Sequence, residues 1–238
     1  MNAAMYKALS GAIVQMRRLD IVSQDLANVN TAGYKGERLA FREILAEPSR
    51  RGERMGGLAV VNEQRTDLSM GALQYTGNPF DLAIEGEGFF AIQTPQGVRY
   101  TRQGTFTRSS DGTVVTPLGS PLLGEGGPIR IEGKKMDVTP EGAVLSDGAE
   151  VDKLQIVRFA NPRRLTREGN SLFRAPEEEA QADPASRVLQ GNSEQANVNP
   201  IAAMVTMITV QRQFEAYERA MKTMDNVTER LISEGARV

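Results

Sequence analysis

The sequence predicts an α+β fold: an N-terminal and a C-terminal helix form a coiled-coil-like pair, and a mainly antiparallel β domain lies between them in the chain. Three observations predict it. Apolar residues recur with helical spacing at both ends of the 238-residue chain. They alternate with strand spacing in the middle, and glycine-containing turns punctuate that middle with no helical pattern between the strands.

The first helix follows from Met5, Leu9, Ala12, Met16, Leu19, Ser23 and Leu26. Their alternating steps of four and three lay one stripe along a helix, interrupted once by the polar Ser23. Val14 and Ile21 fall on the opposite face, so a two-helix pair is expected to leave them in water. The helix should end in LANVNTAGYK, residues 26–35. There Asn28, Asn30 and Thr31 can bond the freed carbonyls and the following turn, Gly33 can adopt a positive φ, and Tyr34 closes the exit motif.

Strand patterns take over from there. DLAIEGEGFFAIQT (81–94) reads as two strands broken at Gly86 and Gly88, and TFTRSSDGTVVT (105–116) as a hairpin turning at Asp111-Gly112. MDVTPEGAVLSDGAEVDKLQIVRF (136–159) reads as a meander turning near Gly142 and at Asp147-Gly148, because these residues tolerate the positive φ of tight turns. An Arg- and Gly-rich stretch at 46–57 and an acidic, Pro-bearing one at 174–187 read as surface loops.

The last helix starts after NVNPIAAM, with Asn199 as its N-cap and Pro200 in its first turn. Its stripe is Ala203, Met207, Val210, Phe214, Tyr217, Met221, Met224, Thr228 and Leu231, with Val205 and Ile208 off it. Residues 1–35 and 195–238 are therefore read as a discontinuous helical assembly domain, and 36–194 as the β-rich domain. With apolar groups on a second face of each helix, full stability is expected only when neighbouring subunits pack there.

Composition narrows the chemistry. The chain has no Cys and no His, which removes thiolates, disulfides and the usual general base and metal ligand. A formal net charge of -2 offers no attraction to nucleic acid. No cofactor, metal site, catalytic residue or small-molecule substrate is expected. The first residues lack the cationic and unbroken apolar regions of a secretory signal. The alternative of another class is a cell-wall-directed glycosidase using Glu85 and Glu87, which alternate on a strand about 7 Å apart, or a binding module. Both carboxylates lie in EGEG, where a turn explains them without catalysis. The clusters Arg50, Arg51, Arg54 and Arg163, Arg164, Arg167 read as solvated loops, as does the run Glu177 to Glu179.

SGAIVQMRRLDIVSQDLANVNTAGYK (10–35) resembles the N-terminal signature of the flagellar basal-body rod and hook family, with Ser23-Gln24-Asp25 where that family carries an asparagine pair. Residues 70–123, MGALQYTGNPFDLAIEGEGFF onward, are similar to its central β segment. QGNSEQANVNPIAAMVTMITVQRQFEAYERAMKTMD (190–225) is similar to its C-terminal helix, with Ala196 where serine is usual. LLGEGGPIRI (122–131) and QRQFEAYERAMKTMD are most similar to the proximal rod members, with the distal rod members next. The resemblance implies a structural subunit of the rod, the drive shaft that transmits torque to hook and filament, polymerising through its terminal helices. It implies homotypic and heterotypic contacts with other rod subunits. It also implies passage through the flagellar type III export apparatus to the periplasm without a cleaved signal peptide.

Overall fold

The computed structural model describes residues 3–44, 58–176 and 180–235. The chain begins with helix α1 (Ala3–Ala27), followed by strands β1 (Glu37–Ile44), β2 (Leu58–Thr66), β3 (Leu73–Tyr75), β4 (Leu82–Glu85), β5 (Phe89–Thr94) and β6 (Gly97–Thr101). Short strands follow: β7 (Thr107–Arg108), β8 (Val114–Val115), β9 (Leu123–Gly124), β10 (Gly127–Pro128), β11 (Met136–Val138), β12 (Ala143–Ser146), β13 (Ala149–Lys153) and β14 (Ile156–Phe159). After a 3-10 turn at Pro162–Arg164 come β15 (Thr166–Arg167), β16 (Leu172–Arg174), β17 (Ala180–Ala182), β18 (Arg187–Gln190) and β19 (Asn192–Glu194), and the chain closes with helix α2 (Pro200–Gly235).

The elements fall into two compact units, one holding residues 1–27, 37–65 and 199–238, the other residues 28–36 and 66–198. In the first unit α1 packs on α2. The fit depends on small residues, since a side chain on Gly11 would bring its Cβ to 2.6 Å from the Tyr217 ring. The start of α2 is set by Asn199, whose Oδ1 accepts from the amides of Ile201 at 3.0 Å and Ala202 at 3.1 Å, satisfying donors that a helix leaves free in its first turn. β1 and most of β2 cluster with the helices in this unit.

The second unit is antiparallel at every described pairing, with a six-stranded sheet ordered β15-β16-β6-β5-β14-β17 and a three-stranded meander β11-β12-β13. FFAI in β5 is buried at consecutive positions rather than alternate ones, the pattern of a strand covered on both faces. Successive side chains point to opposite faces. Phe89 thus meets Phe159 and Phe173 at 5.6 and 5.9 Å between ring centres, while Phe90 meets Phe106 at 5.4 Å in the larger core of Leu82, Ile84, Val114, Leu122 and Ile129.

The expected turns are present: Gly112 at φ +88°, Gly142 at +87°, Asp147 at +49° and Gly148 at +90°. One expectation is corrected. Within the stretch read as a loop, Ala180–Ala182 pairs with β14 as the edge of the six-stranded sheet. Its alanines carry too little apolar signal to mark a strand, and the pairing is set by the neighbour. The other expected loop, 46–57, lies outside the described residues.

Candidate functional site: helix faces and the helix-exit cluster

On α2 the expected stripe largely turns inward. Val210 is buried, and Ala203, Met207, Phe214, Tyr217, Met221 and Met224 are half-buried, while Thr228 is exposed and the side chain of Leu231 lies outside the described residues. Val205 and Ile208 stand open at 60% and 53% exposure, joined by Ile201 at 73% and Met204 at 51%. These four occupy positions i, i+3, i+4 and i+7, one continuous stripe on the first two turns.

On α1 the packed face departs from expectation at four positions. Val14 and Ile21, expected in water, are each 8% exposed, and the stripe residues Leu9 and Met16 stand out at 46% and 48% beside Ile13 at 45%. Ala12 is buried and Met5, Leu19 and Leu26 are half-buried. The reason is size: Ala8, Gly11 and Ala12 let a partner approach closely, so the packed face rotates toward them. Counting apolar residues is blind to that preference.

The exit motif holds its segment in the second unit. The Asn28 carbonyl accepts from the Thr31 amide at 2.9 Å, and Thr31 Oγ1 donates to Asn28 Oδ1 at 3.3 Å. Asn30 is exposed. Gly33 has φ +65°, and a Cβ there would collide with the backbone of Arg102 and Gln103. Its amide donates to the Glu194 carbonyl at 2.7 Å. Tyr34 is buried, with the Arg167 guanidinium 4.3 Å over its ring.

Beneath this turn lies a buried charge cluster. Lys35 Nζ donates to Glu194 Oε1 at 2.5 Å and to the Ser69 carbonyl at 2.7 Å. Arg102 donates to the carbonyls of Ile84 at 3.2 Å and Gly86 at 2.5 Å. The side chains of Lys35, Glu194 and Arg102 are 0%, 1% and 3% exposed. Burial pushes the Lys35 ammonium below its ordinary range, opposed by Glu194, and burial acts likewise on Arg102. Asn197 completes the closure: its Oδ1 accepts from the Gly36 amide at 2.8 Å, and its Nδ2 donates to the Asp67 carbonyl at 2.7 Å. Sequence reasoning passed over Lys35, Arg102, Glu194 and Asn197. The available signal was one charged residue in each terminal motif, Lys35 in NTAGYK and Glu194 in NSEQANVN.

Glu85 and Glu87 are both exposed, either side of Gly86 at φ +141°. Arg163 and Arg164 lie in the 3-10 turn, whereas Arg50, Arg51, Arg54 and the run Glu177 to Glu179 lie outside the described residues. Among the described residues no three carboxylates converge as a metal site would require. No helix among the described residues is long and apolar enough to cross a membrane.

The site is built of buried charges that fasten backbone segments and of open apolar faces on the helices. Residues 5–35 match the family described as flagella basal body rod protein, 83–151 the flagellar hook protein FlgE/F/G D1 domain, and 189–234 the flagellar basal body rod FlgEFG protein C-terminal region. The flagellar basal-body rod protein FlgF of Caulobacter vibrioides is 34% identical over 96% of this chain and 95% of its own length. FlgF of Escherichia coli is 30% identical over 95% of each chain, and FlgG of Bacillus subtilis 30% identical over 98% and 99%. The chain belongs to the flagellar basal-body rod protein family. Within it, the chain is most like the FlgF members. It is a structural component of the flagellum basal body rather than an enzyme, and assembles with other rod and hook subunits.

Proposed function

We propose that the chain polymerises as a proximal subunit of the rod within the periplasm, reaching it through the flagellar type III export apparatus and passing torque on toward hook and filament. The terminal segments 1–35 and 195–238 form the assembly domain. Their helices pair in coiled-coil fashion with the α2 stripe from Met207 through Met224 as seam, and residues 36–194 form the outer layer.

The observation that carries this reading is the open stripe Ile201, Met204, Val205 and Ile208 on α2, matched by Leu9, Ile13 and Met16 on α1. Burying each such side chain is worth about 1.5–3 kcal/mol, and a neighbouring subunit supplies the cover. Both stripes are also continuous, unlike the scattered apolar residues of an ordinary surface.

The test is the double substitution Val205→Asp with Ile208→Asp. Both sites face solvent in the single chain, so the purified subunit should keep its helix content by circular dichroism. Assembly should fail, because each aspartate would be desolvated without a partner. Cells carrying only this variant should lack rods beyond the point of its insertion and should not swim. Normal rods and normal swimming would sink the reading.

A further inference from the structure

Glu194 faces two cations and completes a hydrogen bond with only one of them. Its Oε1 accepts from Lys35 Nζ at 2.5 Å and from the Gly71 amide at 2.8 Å. Its Oε2 lies 3.6 Å from an Arg102 terminal nitrogen. Among the described residues that oxygen has no hydrogen-bond donor, and Arg102 Nε, also buried, has no acceptor. A guanidinium and a carboxylate at full contact join through two parallel N–H···O bonds. An unmade pair therefore stands beside a made one.

We propose that Glu194 is an exchangeable anion: docked, it holds Lys35 and with it the exit segment 28–36, and released, it turns to Arg102 and closes a two-bond pair. Opening a buried ion pair is ordinarily hard because one charge is left stranded. Here every group that the Lys35 ammonium leaves keeps a partner. Glu194 Oε1 retains the Gly71 amide while accepting one bond of the Arg102 pair, and Oε2 accepts the other. The Ser69 carbonyl retains Asn197 Nδ2 at 3.1 Å, and the lysine itself passes into water. Apolar burial holds the segment only lightly, since Tyr34 is its one large buried apolar side chain. The exit segment is thus a clasp that opens while the β sheet stays folded. This inference does not depend on the assembly reading.

Native-state hydrogen exchange on the full chain tests it. The Gly33 and Gly36 amides bond at 2.7 and 2.8 Å within the clasp, and the Val114 and Leu122 amides both at 2.9 Å within the core. The clasp amides should exchange at least about tenfold faster than the core pair, the mark of a local opening. Lys35→Gln should speed the clasp amides further, leave the core pair unchanged, and move the Arg102 Nε proton downfield as it gains an acceptor. Glu194→Gln, which strands two cations, should be the more damaging change and speed all four. The proposal is overturned by clasp amides that exchange only with the core in the unaltered protein. It is equally overturned if Lys35→Gln does not fold, leaves the Arg102 proton in place, or is as damaging as Glu194→Gln. The measurement on the unaltered chain decides even where a variant is lost.

Discussion

Asp147 stands at φ +49° between β12 and β13, and its carboxylate accepts from the amides of Lys135 at 2.9 Å and Lys134 at 3.1 Å. Both bonds favour the charged form, led by the one from Lys135, and hold the carboxyl below its ordinary 3.8. The unfolded chain therefore binds the proton first as pH falls. The stabilisation is fully present above the unfolded value and disappears as pH drops through the lower, folded one. A carboxyl titration by NMR should place Asp147 below 3.8, and Asp147→Asn should remove that portion of the acid response. A value at or above the ordinary one would show that the two amides do not hold the turn. Asp111 accepts instead from Thr113, two residues on, so the first Asp-Gly turn is fixed by local bonds and the second by bonds to a segment twelve and thirteen residues upstream.

Among the elements, α1 shows how a face is chosen. Gly11 is a weak helix former, yet its absent side chain admits the Tyr217 ring. Gly11→Leu would gain up to about 1 kcal/mol from helix propensity and lose about 1–3 kcal/mol by overpacking. The net change should be destabilising, measured by urea unfolding. In a Tyr217→Ala background the overpacking term vanishes and the same substitution should stabilise. Destabilisation of equal size in both backgrounds would show that Tyr217 is not what Gly11 accommodates. Periodicity located this helix and its end, but it assigned Leu9 and Met16 inward and Val14 and Ile21 outward. Propensity and apolarity describe one helix at a time, whereas the packed face is chosen by two.

At the scale of the whole molecule, the second unit has a core of fourteen buried side chains among its described residues, including Phe90, Phe106, Leu82 and Ile129. The described buried apolar residues of the helices are few: Ala8, Ala12, Val14, Ile21 and Val210. Brief trypsin treatment of the isolated chain should therefore cut at Arg65, Arg212 and Arg219, all exposed, before it cuts the sheet, leaving a fragment from Thr66 toward the end of β19. Equal survival of α2 in a species shown to be monomeric would mean that the helices need no neighbour. By itself the sequence determined the two helices, the Asn199 cap, the glycine turns and the meander, because each is specified by residues within a few positions of one another. Only the tertiary structure decided that Phe89 and Phe90 serve different cores, that α1 packs through its small residues, and that Lys35 meets Glu194. The two members of that ion pair are 159 residues apart, and no local preference can name a partner that only the folded chain brings within reach.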